Sequence, residues 1–558
     1  MFLPILALSA AFAAPQVHGG SPKLQWQGLD SYDSFGDCLA IIGDVDGDGH
    51  DDIAIGAPGT SPGGAHRAGS VYLYSSRTGA LLLQWDGQVA SESLGYVIGA
   101  AGDVNGDGIP DLIIGSQYAT PGGLQDRGSA FVYSCANGAL LHQWDGDVMF
   151  SKFGRAVAGA GDVDGDGFAD VLISGRTRIG LGSLQSKVVV FSGANGSEIW
   201  QWIGNAHSWL SESVSGAGDV NGDGFDDFFI GAPGTEVGSY SSAGAAYLLS
   251  GADGSILHSF QGIDSYDYFG RTVAGVGDLD GDGVPDLAVG ASGENYPAGA
   301  AYVFSGASGA QLFRWEGDSN VRDEFGYLVH GAGDFDGDGI ADVIVTSTPF
   351  FNGSPWLTGH VDIYSGADGS LLRRWDSVGQ DRFGTWIDGE GDIDGDGSPD
   401  IVVGAEAASP SALPGTGAVF VFGANPFLIA NTATVSASSG GAISFDLDFS
   451  AERGFDEYKI LLSGTGPGPF RQQHDDVIVP LSLDGLMIAA FQGSYPVANH
   501  VGMHGALDAS GAASATMTIP ATLPPGLIGR TYYFAAVVNQ PGQEAEASSV
   551  AVAITVTP

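Results

Sequence analysis

Residues 44 to 52 read Asp44-Val45-Asp46-Gly47-Asp48-Gly49-His50-Asp51-Asp52, and this acidic loop decides the fold because the chain repeats it. Successive copies lie 56 to 59 residues apart in the sequence. A repeat of about that length is typical of a propeller or of another array in which each unit is one supersecondary element. The chain is therefore predicted to contain seven structural repeats. The other six copies open at Asp103, Asp162, Asp219, Asp278, Asp334 and Asp392.

The spacing within each loop suits a hard cation that takes oxygen ligands. Alternate residues can turn toward one point, and the glycine at position 6 permits the sharp turn because it adopts positive φ without strain. No Cys or His side chain recurs at a ligand position, which argues against zinc. A multidentate loop suits Ca²⁺ better than Mg²⁺, which keeps its waters. We therefore predict about seven Ca²⁺ ions, one per loop, with a structural role.

The predicted ligands occupy positions 1, 3, 5, 7 and 9 of every loop, with a backbone carbonyl at position 7 and Asn replacing Asp at position 3 of the second and fourth loops. They are Asp44, Asp46, Asp48, His50 and Asp52; Asp103, Asn105, Asp107, Ile109 and Asp111; Asp162, Asp164, Asp166, Phe168 and Asp170; Asp219, Asn221, Asp223, Phe225 and Asp227; Asp278, Asp280, Asp282, Val284 and Asp286; Asp334, Asp336, Asp338, Ile340 and Asp342; and Asp392, Asp394, Asp396, Ser398 and Asp400.

The charge balance is strongly acidic, with 65 acidic and 19 basic residues and a formal net charge of −46. Nucleic acid and anionic membranes are poor partners for such a surface. If calcium is near 1 mM and each site binds near 0.1 mM, each ion contributes about 1.4 kcal/mol, on the order of 10 over seven independent sites. Millimolar calcium is an extracellular condition, so a secreted or cell-surface location is expected.

The amino terminus agrees with secretion. Residues 2–14 read FLPILALSAAFAA, and Ala11-Phe12-Ala13 fits a signal-peptidase site, so residues 1–13 are predicted to be a signal peptide. No later run of 18 apolar residues predicts a membrane span. Cys38 and Cys135 occupy different places in adjacent repeats, so a disulfide is not expected, although an oxidising compartment would permit one.

The fifth repeat shows most clearly how one unit is built. Residues 268–275 lead into the loop at Asp278, and the runs 286–290, 301–304 and 311–315 follow. Short β-branched and aromatic runs separated by glycine predict four antiparallel strands per unit. Seven such units predict an all-β fold, a seven-bladed β-propeller.

An aromatic residue recurs in the fourth strand and indicates how the ring closes. The seventh acidic loop has no such strand after it, whereas one aromatic precedes the first loop. We therefore expect residues 22–28 to complete the last blade of a propeller that spans residues 22–424. The aromatics are interpreted as packing residues. They are Trp26, Trp85, Trp144, Trp202, Phe260, Trp315 and Trp375.

Two further elements recur in phase with the acidic loop: a Phe-Gly pair, as at Phe35-Gly36, and a Gly-Ala-Pro run, as at Gly56-Ala57-Pro58. Together the three elements resemble the FG-GAP repeats of integrin α-chain-like propellers. The resemblance covers residues 22–424 and implies calcium in the hairpin between the first and second strands of each blade. The chain departs from integrins by carrying the loop in all seven blades. Neither the integrin leg domains nor the integrin membrane span is expected in it, so integrin partner binding is not implied. The elements are Phe35-Gly36, Phe153-Gly154, Phe269-Gly270, Phe325-Gly326 and Phe383-Gly384, weakened to Leu94-Gly95 and Leu210-Ser211, with Gly56-Ala57-Pro58 and Gly231-Ala232-Pro233.

Residues 426–558 lie beyond the last repeat and are predicted to form a β-sandwich domain. Ile443, Phe445 and Leu447 alternate with small or polar residues, as do the valines and isoleucine near the end of the chain. Period-two patterns with frequent turns are typical of sandwiches. A role as a spacer, docking module or secretion-associated domain is expected for it.

Three features could belong to an enzyme, but each has a plainer explanation. Residues 59–63 match G-x-S-x-G without a following helix, which the nucleophile elbow requires. His500 and His504 are four apart, a spacing that suits a metal only on a helix, and this segment is predicted as loop and strand. Asp475 and Asp476 are predicted to lie on a solvated strand edge. No catalytic residue and no further cofactor site is predicted.

The connections between the second and third strands vary in length and should lie together on the face opposite the metals. The sixth is the richest in aromatics beside polar groups, which suit sugar or peptide contacts, although a self-packed loop would explain it equally. Tyr32 and Tyr266 are weaker candidates on the same face. The candidates in the sixth connection are Phe350, Phe351, Asn352 and Trp356.

Two functions therefore stay open at the level of sequence. The first is a secreted, calcium-stabilised scaffold for adhesion or binding, expected to be monomeric and to recognise a protein or a glycan. The alternative is an extracellular hydrolase or lyase that acts on polysaccharides or esters at the propeller face. The absence of a credible catalytic set favours the scaffold.

Overall fold

The structure is a computed structural model that describes residues 22–180, 182–204, 213–319, 324–348, 359–377, 381–395, 397–409 and 414–423, together with the backbone of further strands outside these ranges. The regular structure of the repeat region consists of β-strands and two short 3₁₀ turns. In chain order the strands are β1 (Val17–His18), β2 (Leu24–Gln27), β3 (Cys38–Gly43), β4 (Asp52–Ala57), β5 (Ser70–Tyr74), β6 (Leu81–Asp86), β7 (Val97–Gly102), β8 (Asp111–Ser116), β9 (Ser129–Tyr133), β10 (Leu140–Asp145), β11 (Val157–Gly161), β12 (Asp170–Arg178), β13 (Leu184–Phe191), β14 (Glu198–Ile203), β15 (Val214–Gly218), β16 (Asp227–Ala232), β17 (Ala245–Leu249), β18 (Ile256–Gln261), β19 (Thr272–Gly275), β20 (Leu287–Ala291), β21 (Ala300–Phe304), β22 (Gln311–Glu316), β23 (Phe325–Gly333), β24 (Asp342–Ser347), β25 (His360–Tyr364), β26 (Leu371–Ser377), β27 (Phe383–Gly391), β28 (Asp400–Ala405) and β29 (Ala418–Gly423), and the 3₁₀ turns span Pro62–Gly64 and Pro121–Gly123.

These strands form seven antiparallel sheets, which we call blades 1 to 7 and whose strands we letter A to D from the centre outward. Blades 1 to 6 are β3–β6, β7–β10, β11–β14, β15–β18, β19–β22 and β23–β26, and β1 adds a fifth strand beside β26. Each A strand contacts the A strand of the next blade, and β27 of blade 7 contacts β3 of blade 1. The A strands therefore close a ring, and the predicted all-β, seven-bladed propeller is confirmed.

Blade 7 takes its outermost strand from the start of the described chain. Strand β2 pairs antiparallel with β29, with Leu24 opposite Val421 and Trp26 opposite Val419. Trp26 is 9% exposed and packs with Ile53 of blade 1, so the same strand also contributes to the core between blades 7 and 1. The first and last parts of the propeller are thus hydrogen-bonded into one sheet.

The hydrophobic core lies between neighbouring blades. Every residue of β4 is buried, as is every residue of the equivalent strands β8 and β28. A strand with a blade packed on each face buries both sets of alternating side chains, so it shows a continuous apolar run instead of a period of two. Leu73 of blade 1 and Leu112 of blade 2, for example, belong to one buried cluster.

The Phe-Gly and Gly-Ala-Pro elements mark the closest backbone contacts between blades. Phe35 is buried and forms a parallel bridge with Gly417 of the preceding blade. A Cβ on Gly56 would fall 2.4 Å from the carbonyl oxygen of Gly95 in the next blade and 2.3 Å from Cys38 Sγ. Only glycine fits at such an approach, so these elements recur with the repeat because each blade must dock on its neighbour.

The recurring D-strand aromatics add a polar contact between blades that packing alone would not predict. The indole N–H of Trp85 donates to the carbonyl of Gly138 at 3.1 Å, and that of Trp144 donates to Gly196 at 2.9 Å. In each case the acceptor lies in the turn between the C and D strands of the following blade. The tryptophans therefore both fill the core and fix the spacing of adjacent blades.

Beyond the propeller, the backbone of twelve further strands is described and forms three sheets. Strand β32, which contains the predicted alternation at residues 443–447, pairs with β38, and β41 at the end of the chain pairs with β39. The strands are β30 (Leu428–Ala430), β31 (Thr434–Ser436), β32 (Gly441–Asp448), β33 (Glu457–Ser463), β34 (Pro469–Arg471), β35 (Ile478–Pro480), β36 (Asn499–Val501), β37 (His504–Ala506), β38 (Ala512–Ile519), β39 (Thr531–Asn539), β40 (Ala547–Ser548) and β41 (Val552–Thr557).

Both cysteines are buried and free. Cys38 lies in β3, where its thiol donates to the carbonyl of Gly95 at 2.9 Å, and Cys135 follows β9. Burial raises the pKa of both thiols, so neither is a reactive thiolate. Within the described part of the chain, no helix has the length and apolar character that crossing a bilayer requires.

Candidate metal centres

All seven acidic loops connect an A strand to a B strand, so they lie at one end of the propeller, which we call the A–B face. In blade 1 the loop runs from the end of β3 at Gly43 to the start of β4 at Asp52. The B–C connections and the links from each D strand to the next blade lie at the opposite end, the B–C face. The candidate sites therefore repeat around one rim of the ring.

The carboxylate at position 1 organises the turn of each loop. In blade 1, Asp44 Oδ1 accepts hydrogen bonds from the N–H groups of Gly47 at 2.8 Å and Asp48 at 3.0 Å, and Asp44 Oδ2 accepts from Gly49 N–H at 2.9 Å. Asp278 binds its own loop in the same way. The glycine at position 6 has positive φ, +90° at Gly49, as the sequence predicts.

The carboxylate at position 9 is fully buried in every blade. In blade 1, Asp52 Oδ2 accepts from Val45 N–H at 3.0 Å, and Oδ1 accepts from Ser76 N–H, which follows the C strand, at 3.1 Å. The side chain thereby joins the loop to the C–D turn of its own blade. The seven residues, each 0% exposed, are Asp52, Asp111, Asp170, Asp227, Asp286, Asp342 and Asp400.

Burial makes these position-9 carboxylates costly to ionise without a cation. Burial, partly opposed by the backbone hydrogen bonds, raises the pKa of Asp52, Asp170, Asp227 and Asp286 to about 6 and that of Asp111 to about 7. A buried charge needs a partner of opposite sign or a metal ion. A divalent cation in the loop would supply that partner.

Five loops bring three carboxylates together so that one oxygen from each lies within 4.8 Å of the others. Blades 1 and 5 assemble positions 1, 3 and 5, whereas blades 3, 6 and 7 assemble positions 1, 3 and 9. Among the described residues, Asp52 and Asp286 at position 9 and Asp166 and Asp338 at position 5 stand outside the clusters of their own loops, and the loops of blades 2 and 4 form no such cluster. Asp396 lies outside the described residues. The clusters are Asp44, Asp46 and Asp48; Asp162, Asp164 and Asp170; Asp278, Asp280 and Asp282; Asp334, Asp336 and Asp342; and Asp392, Asp394 and Asp400.

The second and fourth loops replace one carboxylate by an amide. Asn105 Oδ1 accepts from Asp107 N–H at 3.0 Å, and its Nδ2 donates to Asp111 Oδ2 at 3.2 Å. Asn221 makes the same pair of contacts in blade 4, with Asp227 as the acceptor. Without an ion the amide N–H neutralises part of the position-9 charge, a role that Asp at position 3 cannot play.

Blade 6 contains the clearest example of a loop carboxylate whose oxygen has no hydrogen-bond partner. Asp334 Oδ1 is buried and has no hydrogen-bond partner. Burial raises the pKa of Asp342, with the Asp336 carboxylate adding to the effect, and burial likewise raises the pKa of Asp336, with Asp338 and Asp334 adding to it. An unpaired buried oxygen among crowded carboxylates fits a cation, so the donor set agrees with Ca²⁺, which takes six to eight oxygens.

In blades 1, 3 and 4 the side chain at position 7 contacts the acidic loop of the preceding blade. In blade 3, the Phe168 ring covers Gly106 of blade 2 so closely that a Cβ added to Gly106 would lie 2.6 Å from a ring carbon. In blade 1, His50 Nδ1 lies 3.2 Å from the carbonyl oxygen of Ile393 in blade 7. His50 was predicted to contribute only its backbone, and the structure gives its side chain a second role between blades 1 and 7. The side chains of Ile109, Val284 and Ile340 pack against the core instead.

Backbone hydrogen bonds connect the loops as well. Asp51 N–H donates to the carbonyl of Asp392 at 3.0 Å, and Asp392 N–H donates to Asp51 Oδ2 at 2.8 Å, which joins blades 1 and 7. Asp226 and Asp162 exchange the same two bonds between blades 4 and 3. The rim of loops is therefore part of the interface between blades, so an ion bound in one loop would also brace its neighbour.

Of the other candidates from the sequence, Ser61 and the two histidines do not stand in the backbone contexts that their chemistry requires. Ser61 of the G-x-S-x-G match accepts from Arg67 N–H at 3.0 Å and precedes a three-residue 3₁₀ turn, so the strand–turn–helix of a nucleophile elbow is missing there. His500 and His504 lie on strands β36 and β37, not on a helix. Phe350, Phe351, Asn352 and Trp356, and Asp475 with Asp476, lie outside the described residues.

Comparison with known proteins agrees with the blade architecture. The FG-GAP repeat model matches six segments, residues 40–74, 95–133, 212–249, 269–304, 325–358 and 383–422. The third blade is not among them, although its loop and its four strands follow the same plan.

Among curated proteins, integrin alpha-V of Gallus gallus is 29% identical over 218 residues, which cover 37% of this chain and 21% of that protein. Integrin alpha-5 of Xenopus laevis is 32% identical over 214 residues, covering 35% and 20%. The matches thus span about a fifth of the length of these relatives. A solved structure titled "Structure of Dos1 propeller" aligns with a TM-score of 0.41 at 9% identity, covering 73% of this chain and 94% of that chain. The repeat matches, the integrin relatives and the seven blades together identify this chain as one that carries an integrin α-like FG-GAP propeller.

Proposed function

We propose that the chain is a secreted, calcium-stabilised scaffold that binds a protein or glycan ligand on its B–C face. The observation that carries the calcium half of this proposal is the fully buried aspartate at position 9 of all seven loops. Ionising seven such groups without a counter-ion would oppose folding, whereas Ca²⁺ bound to each loop would turn the same groups into ligands. Because the loops also join neighbouring blades, the ions would stabilise the ring as a whole.

An extracellular location follows from the affinity that such loops are expected to have. Extracellular calcium modules bind with dissociation constants of about 10⁻⁴ to 10⁻³ M, which only extracellular calcium would saturate. The proposed signal peptide at residues 1–13 supports the same location. We further propose that the sheets of residues 426–558 form a β-sandwich that serves as a spacer or docking module, and that the protein is a monomer.

The binding half of the proposal rests on three exposed aromatic residues at equivalent positions of the B–C face. Tyr32, Phe150 and Tyr266 each stand three residues before a Phe-Gly element, in blades 1, 3 and 5. They are 68%, 40% and 58% exposed. Sequence reasoning missed Phe150, although the fixed offset from Phe153 would have found it.

The backbone at these positions adopts a conformation that aromatic residues rarely take. Tyr32, Phe150 and Tyr266 have φ of +67°, +64° and +69°. Each N–H donates to a B–C connection of the preceding blade, for example Tyr266 to the carbonyl of Ser241 at 2.9 Å. Strained residues held by surrounding structure concentrate at binding sites, and exposed aromatics suit the apolar faces of sugars and the side chains of peptides. These three rings are therefore the proposed contacts for the ligand.

Screening the purified full chain against glycan and protein arrays in calcium tests this proposal. We expect a saturable ligand whose binding is lost when EDTA removes calcium, and lost or strongly weakened in a Tyr32→Ser, Tyr266→Ser double variant. Ile256→Ser is the matched control, because Ile256 is 50% exposed but begins a D strand at the opposite end of the blade. A ligand that binds the double variant as tightly as the unmodified protein would place the site elsewhere, and arrays without any ligand would overturn the binding role.

A further inference from the structure

Blade 7 differs from the other six blades at one position of its D strand. Three residues before the recurring aromatic, the other blades carry Leu or Ile, which pack on the core between blades. In blade 7 the equivalent residue, three before Trp26, is Lys23. The apolar residues are Leu82, Leu141, Ile199, Leu257, Leu312 and Leu372.

The Lys23 side chain reaches into the acidic loop of its own blade. Its ammonium forms an ion pair with Asp394 at position 3, and Nζ lies 3.8 Å from Asp400 Oδ1 at position 9. Asp394 and Asp400 are two of the three carboxylates of the blade 7 cluster. The backbone of Lys23 is fixed as well, because its N–H donates to the carbonyl of Val421 at 2.8 Å.

In the other blades a backbone N–H donates to the position-9 carboxylate, whereas in blade 7 an ammonium lies 3.8 Å from that carboxylate. The position-9 Oδ1 of Asp170 accepts from Gly193 N–H and that of Asp286 accepts from Gly306 N–H, in each case from the turn between the C and D strands. The D strand of blade 7 comes from the start of the propeller, and the residues that follow β29 lie outside the described part of the chain. Lys23 immediately precedes strand β2 and reaches the loop from there.

We propose that Lys23 is an internal counter-cation that holds the blade 7 loop closed without metal and competes with Ca²⁺ for the same carboxylates. This inference rests on the proposed calcium sites in the other loops. Lysine brings one positive charge and hydrogen-bond donors, so it neutralises part of the cluster, but a bound Ca²⁺ would have to displace it from Asp394. Blade 7 is accordingly a weaker calcium site than the other loops that carry four aspartates.

Lys23 lies in the blade that closes the ring, so its ion pairs can stabilise the closure. The blade 7 loop is hydrogen-bonded to the loop of blade 1, and strand β2 completes the same blade. The Lys23 ion pairs join the beginning of β2 to the loop, so the closing blade keeps a counter-charge when calcium is scarce. Each of the other six blades takes its four central-to-outer strands from one continuous stretch of sequence.

Calorimetric calcium titration of the full chain and of Lys23→Leu tests the proposal, since leucine restores the residue type of the other blades. We expect the variant to bind calcium at one site roughly tenfold more tightly than the unmodified protein does, with the other sites unchanged. In calcium-free buffer the variant should melt at a lower temperature than the unmodified protein, and saturating calcium should remove most of that difference. If Lys23→Leu does not fold, Lys23→Gln takes its place, because glutamine keeps a polar side chain but carries no charge. Lys23→Gln should show the same changes in calcium affinity and melting temperature.

Lys187→Leu is the matched control, because Lys187 is ion-paired with Asp147 at 2.7 Å but stands away from the acidic loops. It should lower the melting temperature equally with and without calcium and leave the titration unchanged. Identical calcium titrations for Lys23→Leu and the unmodified protein would overturn the competition. A protein that binds no calcium in either form would instead overturn the calcium sites themselves, so the two failures are distinguishable.

Discussion

Replacing Asp336 by Asn should change the stability of the propeller in opposite directions with and without calcium. Asp336 belongs to the blade 6 cluster, where one oxygen each from Asp334, Asp336 and Asp342 lies within 4.8 Å of the others. Blades 2 and 4 carry Asn at this position and show how the amide would sit. Asp336 Oδ1 accepts from Asp338 N–H at 3.1 Å, a bond that the Asn side chain can keep.

The magnitude follows from the spacing of the carboxylates. Two like charges 4.8 Å apart repel by about 3 kcal/mol at an effective dielectric constant of about 20. Proton uptake limits the repulsion, because burial and the neighbouring carboxylates raise the pKa of both Asp336 and Asp342. The amide would in addition donate to Asp342, as Asn105 donates to Asp111. We therefore expect Asp336→Asn to stabilise the metal-free protein by about 2 to 3 kcal/mol.

In calcium the sign should reverse, because the site loses one negative ligand. A tenfold loss of affinity at that site would lower the free energy of unfolding by about 1.4 kcal/mol relative to the unmodified protein. Differential scanning calorimetry of both proteins, after metal stripping and again in about 1 mM calcium, measures the two effects as shifts of melting temperature.

Asn221→Asp in blade 4 is the reciprocal control and should show the opposite pattern. A lower melting temperature for Asp336→Asn in the metal-free state would refute the reasoning, since it would mean that the clustered carboxylates do not repel. Equal shifts with and without calcium would also refute it, because the substitution would then act on packing and not on the ion site.

The metal-free protein should lose stability as pH rises from about 4 to about 7, because the folded state holds protons on Asp52, Asp170 and their equivalents that the unfolded chain, with an ordinary pKa near 3.8, has released. A folded-state pKa of about 6 lowers the free energy of unfolding by up to about 3 kcal/mol per group above that pH. Bound calcium should abolish this dependence on pH. Melting temperatures of the metal-free protein that stay constant between pH 4.5 and 7, roughly the window set by these pKa values, would contradict the prediction. Trp144→Phe should cost about 1 kcal/mol by removing the hydrogen bond to Gly196, measured by thermal unfolding in calcium, and no loss would show that the contact only fills space. Gly56→Ala should prevent folding or cost more than about 4 kcal/mol, because its Cβ would fall 2.4 Å from a backbone oxygen of the next blade; a soluble variant of unchanged stability would contradict the docking role of this glycine.

The sequence was sufficient for the architecture because the acidic loop sets the phase of each repeat. Once the loop is placed, the strands follow at fixed offsets. In the fifth repeat the bounds of the second to fourth strands differ from the predicted ones by at most one residue, as in β20, which begins at Leu287 where Asp286 was predicted. The first strand begins at Thr272, four residues after the start of the predicted run. The recurring aromatic, one copy of which precedes the first loop, also predicted the strand that completes the last blade. These features are local or periodic, so a single sequence displays them.

The features that the sequence did not predict depend on contacts between distant residues. The hydrogen bond from Trp144 to Gly196 and the second role of His50 arise only when one blade is placed on the next. The Lys23 ion pairs join residues more than 370 positions apart. Even so, the replacement of a recurring Leu or Ile by Lys at a fixed offset from Trp26 is visible in the sequence, and it is the signal that would have pointed to the exceptional blade.

The most direct test of the whole account is to measure bound calcium and melting temperature on the same sample, before and after exhaustive chelation. We expect about six or seven calcium ions per chain, with the last bound most weakly, and a large fall in melting temperature once they are removed. A chain that carries no calcium from a millimolar solution, or that melts at the same temperature after chelation, would contradict the claim that cations in the acidic loops stabilise the ring.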